Sequence, residues 1–176
     1  MLFKFVRYMT PIGVFEAWRK DEEHLEHWKT FYESKGYSSW EEWRTEHANR
    51  FKLHNLSWSL NRLERFDSIL DLRGGPFRGW KNLYYEGRIM PVFRDIAANP
   101  KIAEHSYIRG ISENFPKETT ITALETANDG VFVIEGMHRC AAAALALREG
   151  REIESDITIA LAKYPFSDLL NQFSNL

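Results

Sequence analysis

The sequence predicts an α/β (α+β) protein, a small mixed sheet with its helices, preceded by an N-terminal helical hairpin. Three observations predict it. Aromatic residues recur at helical spacing from Phe15 to Phe51, the period becomes that of strands beyond Pro116, and the run 131–145 passes from an apolar strand through Gly136 into an alanine-rich helix. At 176 residues, 44% hydrophobic and 27% charged, the chain has enough material for one domain with a smaller extension and a sizeable core.

Thr10 and Pro11 supply an N-cap and a proline at the first helical position, and Phe15, Trp18, Leu25, Trp28 and Tyr32 carry the helical period to Gly36. Ser39 and Glu42 have the spacing of a capping box, and Trp40, Trp43, Ala48 and Phe51 continue the pattern. These two segments read as a hairpin within an extension of residues 1–66. Leu56, Trp58 and Leu60 alternate as a strand does, although Leu60, Leu63 and Phe66 also fit a helix; strand is the reading taken. The glycine-rich run 73–79 is expected to be a loop near the start of a second unit, residues 67–176.

Asn99-Pro100 opens a helical stripe of Ile102, Tyr107, Ile108 and Ile111 that ends near Phe115-Pro116. Segments 120–124 and 131–135 are rich in β-branched residues, and Asn128-Asp129-Gly130 between them is a turn signal that predicts a hairpin or a tight connection. A short helix over 139–147 is terminated by Gly150. Ile153, Ile157, Ile159 and Leu161 alternate with polar residues as in a half-buried strand, and Ser167-Asp168 opens a terminal helix.

Charge restricts the partners. With 23 Lys and Arg against 25 Asp and Glu, the chain lacks the global positive field that holds a nucleic acid backbone or an anionic membrane. The single Cys140 cannot build a disulfide framework or a structural zinc site and reads as a small buried thiol. Lys4 and Arg7 interrupt the apolar start, so a signal peptide is not expected, and no run is long enough to span a bilayer. A soluble, cytoplasmic protein is the expectation.

The chemistry concentrates at Gly136. A strand that ends in glycine and turns directly into a helix lets a ligand approach the backbone, and the helix start presents unpaired amides and the positive end of its dipole. His138 and Arg139 place cations in that first turn, where they raise the helix energy by about 0.3–1 kcal/mol unless an anion offsets them. Arg139 offers a planar fork for phosphate and His138 a donor that titrates near neutrality. A purely structural alternative is a plain strand-to-helix turn in which Arg139 pairs with a nearby carboxylate. Arg73, Arg78 and Lys81, with Trp80, form a second candidate anion site on the 73–81 run, whose alternative is a flexible connector. His24 and His27 with Glu23 have metal-ligand spacing, but Asp21, Glu22 and Glu26 around them make a solvated charged face the preferred reading, and no metal ligand is assigned. The tryptophans at 18, 28, 40 and 43 fit a packed hairpin, and His47, His54 and His105 have no partner identifiable from the sequence.

The strand, Glu135, Gly136, two further positions, Arg139 and the alanine-rich helix together resemble the ParB/sulfiredoxin-like superfamily over roughly residues 91–161. Glu135-Gly136-Met137-His138-Arg139 looks most like the Asp-Gly-His-His-Arg of its free serine kinases, with Glu for Asp and Met for the first His. The resemblance implies a site for ATP or ADP with Mg2+, in which Gly136, His138 and Arg139 contact phosphates with Met137 at the same turn, Glu135 is a candidate for acid/base or metal work and His138 a second catalytic candidate. Arg73 and Arg78 join the nucleotide-binding candidates from the basic, glycine-rich run itself. The implied function is phosphoryl transfer to a small hydroxylated or amino-acid-like substrate. The alternative is a nucleotide-sensing or partner-binding module without turnover. Met137 stands where sulfiredoxin has its reactive cysteine, so sulfinic acid reduction is not expected. A DNA clamp is not expected either, because no DNA-binding domain follows Leu161, and a nuclease would need a carboxylate cluster and a basic surface. On this reading Arg139→Ala weakens nucleotide binding by about 1.5–3 kcal/mol and spares the fold.

Overall fold

Strands β1 (Phe3–Met9), β2 (Trp58–Leu63), β3 (Arg73–Gly74), β4 (Glu118–Thr126), β5 (Gly130–Glu135) and β6 (Asp156–Lys163) form an open mixed sheet in the computed structural model, which describes residues 3–174. Their order is β1-β2-β6-β4-β5-β3. The chain divides into two units, Tyr8–Trp58 and the remainder, so the expected extension of residues 1–66 is narrower than the sequence suggests. The reason is that β1 and β2, at either end of that stretch, join the sheet.

The expected hairpin is present as β4 and β5, antiparallel, with Thr126 opposite Gly130. β4 also pairs with β6 in parallel, from Glu118 opposite Asp156 to Glu125 opposite Lys163. Ile159, Ala160, Leu161 and Ala162 are all buried, so β6 is covered on both faces there and the half-buried alternation read from its sequence is incomplete. Alanine at 160 and 162 hides that second apolar face from a pattern based on large residues. Toward the end of β5 the register slips: Thr122 faces Glu135 but Ala123 faces Val133, which leaves Ile134 as an extra residue. This bulge re-aims the strand just before Gly136.

In the helical unit, α1 (Pro11–Glu22), α2 (Glu26–Ser34) and α3 (Trp40–Arg50) replace the expected two-helix hairpin, because the first helix breaks at residues 23–25. Thr10 caps α1 by accepting from the Gly13 amide at 3.0 Å, and Ser39 caps α3 by accepting from Glu42 at 3.1 Å. The capping box is closed one residue early, with the Glu42 carboxylate taking the Ser38 amide and hydroxyl at 2.7 Å each. Glu22, which the sequence places on a solvated face, is only 4% exposed. It accepts from Arg44 Nε at 2.6 Å and from Trp40 Nε1 at 3.1 Å, and the Arg44 guanidinium lies 4.1 Å from the Trp43 ring centroid. The tryptophans therefore enclose an ion pair.

In the sheet unit, α4 (Arg78–Tyr84), α5 (Phe93–Ile96), α6 (Pro100–Glu104), α7 (Ser106–Glu113), α8 (Met137–Arg148) and α9 (Phe166–Ser174) accompany the strands. The stripe expected from Asn99 to Phe115 is split into α6 and α7 at His105. Residues 140–146 of α8 are all buried, and α5, α6, α7 and the 3-10 turn Phe66–Asp71 pack against the helix. The alanines serve this enclosure: a helix without a solvent face needs small side chains so that its neighbours can approach from every side.

His47 of α3 donates from Nδ1 to the Trp43 carbonyl at 3.1 Å and meets the Trp43 ring edge-on at 5.4 Å. Burial, then the charge of Arg44, pushes its pKa down from 6.5 to about 4. A histidine held neutral in the fold but free to protonate when unfolded contributes stability above pH 6.5 that is lost as pH falls toward 4. The expected loss over that window is on the order of 2–3 kcal/mol, reduced from the full linkage value by the part-exposure of the ring. Urea titrations followed by tryptophan fluorescence should show it, since Trp18, Trp28, Trp40, Trp43 and Trp58 all lie in the helical unit. His47→Gln should flatten the profile between pH 6.5 and 4, and an unchanged profile would assign the acid sensitivity elsewhere.

Candidate functional site

Gly136 opens α8 with φ +93°, a left-handed conformation that side chains disfavour, and a Cβ there would lie 3.1 Å from Ile121 of β4. The glycine is thus required by its own backbone and by the sheet beneath it. Glu135, 5% exposed, ends β5 on one side of the turn, and Arg139 stands one helical turn beyond it. Their side chains are ion-paired, and Arg139 also donates to Thr119 Oγ1 of β4 at 2.5 Å. The arginine side chain is 14% exposed and the glutamate 3%. Arg139 therefore spends its fork inside the protein, and the same pair occupies the carboxylate expected to do catalysis.

The structure brings the two candidate segments together. The Gly75 amide donates to Met137 Sδ at 3.4 Å, and the Trp80 ring of α4 meets His138 at 5.2 Å between centroids. His138 is also flanked by Tyr107 at 5.4 Å and His105 at 5.9 Å. His105 accepts the Ile108 amide on Nδ1 at 3.4 Å, capping α7. The half-buried His138 thus stands on the first turn of α8 within a group of rings drawn from α4 and α7.

The other expected site residues are placed differently. Met137 is buried and engaged with Gly75. The run at 73–79 is neither a loop throughout nor a flexible connector. Arg73 and Gly74 pair in parallel with Phe132 and Val133, the Gly74 amide bonds to Pro91 O at 2.9 Å, and the Tyr85 hydroxyl donates to Gly75 O at 2.7 Å. Side chains at Gly74 and Gly75 would collide with Tyr85 and with the Val133 carbonyl, so these glycines serve close packing. Arg73 points to the opposite end of β5, donating to Met90 O at 3.3 Å beside Gly130, and does not meet the Gly136 turn. Arg78 is exposed at the start of α4, two residues before Trp80.

Cys140 is fully buried, and burial pushes its thiol pKa far up, which removes it from nucleophilic chemistry. His24 and His27 are exposed, and among the described residues no group of three or more His, Cys, Asp and Glu converges as for a metal ion. Two concavities form elsewhere: one of about 370 Å3 between α1 and α3, including Phe15, Thr45 and Leu53, and one of about 480 Å3 lined by Asn82, Leu83, Glu86, Asn99, Pro100, Lys101 and Glu104. Neither is lined by a residue of 135–139. Thr119 and Tyr107 escaped the sequence reading because a threonine in a β-branched run and a tyrosine in a helical stripe carry no local mark of their partners.

The buried pair changes what Arg139→Ala should do. Removing the guanidinium leaves Glu135 charged and uncompensated in the interior, at a cost of about 3–5 kcal/mol in stability, so the fold is not spared. A double variant, Glu135→Leu with Arg139→Met, should recover most of that loss because apolar residues of similar volume replace both charges. Chemical denaturation of the three proteins checks this, and a single-variant cost below about 1 kcal/mol, the range of an exposed pair, would contradict the burial argument.

No protein-family model matches the chain, and no curated protein or solved structure matches it either.

Proposed function

We propose that this protein binds a nucleoside di- or triphosphate at the opening of α8 and acts as a nucleotide-binding module without phosphoryl transfer. The observation that carries the reading is the meeting of the two candidate segments at His138, which stands half-buried on the first turn of α8 against the rings of Trp80 and Tyr107. Phosphate would lie at the positive end of the helix dipole beside His138, and a base or sugar against Tyr107. The resemblance to ParB/sulfiredoxin-like proteins supports ATP or ADP, with Mg2+ held chiefly by the phosphates. Binding is favoured over transfer because Glu135 is held by Arg139, and a general base must be able to reach its acceptor.

A thermal-denaturation series with ADP, ATP and CTP, with and without Mg2+, tests this. A ligand one hundredfold above its Kd stabilises the fold by about 2.7 kcal/mol, a shift of roughly 5–10 °C for a chain of this size. His138→Ala should abolish the shift, measured against that variant's own ligand-free melting temperature, which loses only the ring contacts. Absence of any shift with all three nucleotides refutes the binding site. Consumption of bound nucleotide in the presence of a hydroxylated amino acid would instead restore the transferase reading.

A further inference from the structure

The two edges of the sheet are guarded unequally. β3 is two residues long, and Arg73 is bridged to Val92 in antiparallel fashion. At the other edge β1 runs for seven residues, and among the described residues no strand lies beyond it. Lys4 through Tyr8 are exposed on both faces, with Phe5 at 54%, Val6 at 45% and Tyr8 at 81%. The strand, Phe-Lys-Phe-Val-Arg-Tyr-Met, contains no proline or glycine. A long edge strand presents a row of backbone groups that can recruit another strand, and proteins that stay monomeric shorten, break, cover or charge such edges. The charges here are Lys4 and Arg7, so a partner strand must accommodate both.

We propose that β1 pairs antiparallel with β1 of a second copy of this chain, centred on Val6, joining the two sheets across a two-fold axis. The sequence of the strand is complementary to itself in that register. Val6 faces Val6, Phe5 faces Arg7, Lys4 faces Tyr8 and Phe3 faces Met9. Every cation thereby lies opposite an aromatic ring, at cross-strand distances where such pairs attract. Neighbouring registers lose this: one step back sets Lys4 against Arg7, one step forward sets both cations against aliphatic side chains, and two steps forward set Arg7 against Arg7. A two-fold contact needs one patch that fits itself, and β1 is such a patch.

The test uses the full chain. Light scattering at concentrations on the order of 0.1 mM should give twice the chain mass of 20.7 kDa. Val6→Lys, which sets two like charges face to face on the axis, should return the mass to that of one chain without changing the circular dichroism spectrum. For the register, Val6→Cys should form an intermolecular disulfide when oxidised with diamide, because paired antiparallel residues have Cα atoms about 4.5–5.5 Å apart, within disulfide reach. Each bond removes two thiol protons and two electrons, which diamide takes up. Cys140 is fully buried and does not contribute. Lys4→Cys alone should not link, whereas Lys4→Cys mixed with Tyr8→Cys should. A mass of one chain throughout, a dimer that survives Val6→Lys, or equal linking of Lys4→Cys and Val6→Cys each overturns the proposal.

Discussion

The enclosure of α8 is the constraint on which the rest of the sheet unit depends. A helix covered on all sides has no face on which to display charge, so its residues must be small or apolar, and 140–146 are. The difficulty lies at its start, where Arg139 enters the interior with the helix. Glu135, the last residue of β5, meets it one turn earlier, and Thr119 takes a second guanidinium hydrogen bond. The turn between the two charges must be tight enough to bring them together over Ile121, and only glycine fits there. Bulge, turn and ion pair are thus one device for delivering a strand into a buried helix.

The helical unit solves a related problem in the same currency. Glu22 and Arg44 come from helices separated by α2, yet both are buried and joined by two donors, with Trp40 adding a third hydrogen bond and Trp43 covering the guanidinium face. The planar arginine fork suits both tasks, since it binds a carboxylate edge-on while its faces stack on indole rings. Such pairs contribute little net stability relative to apolar replacements, but either partner left alone is strongly unfavourable.

Much of this was legible in the sequence because it is local. Thr10, Ser39 and Asn99 announce the helix starts they cap, Asn128-Asp129-Gly130 announces the hairpin, and the β-branched runs announce β4 and β5. What was not legible depends on partners remote in the chain. Glu22 looks solvated among its acidic neighbours until Arg44 arrives from twenty-two positions away, and Gly74-Gly75 looks flexible until Tyr85 and Val133 crowd it. β1 carries no alternation of apolar and polar residues, since both its faces are exposed, and it left no periodic signal. At the candidate site, the 73–81 run meets Met137 and His138 through Gly75 and Trp80, a proximity that no local pattern announces, while Arg73 faces the other end of β5.

The motif at residues 135–139 shows how one short pattern supports two kinds of chemistry. A strand, an acid, glycine and an arginine one turn later is what a phosphate cradle needs, and it is also what a buried helix entry needs. The two demands compete for the same guanidinium, and burial decides between them: with Glu135 3% and Arg139 14% exposed, the two side chains are already paired to each other. That leaves the residue just before the arginine as the discriminating position. A histidine is not required to neutralise Glu135, to fill the core of α8 or to complete the turn, yet His138 stands there among rings from α4 and α7. His138, rather than the arginine held by Glu135 and Thr119, is therefore the side chain of this turn on which the proposed site depends.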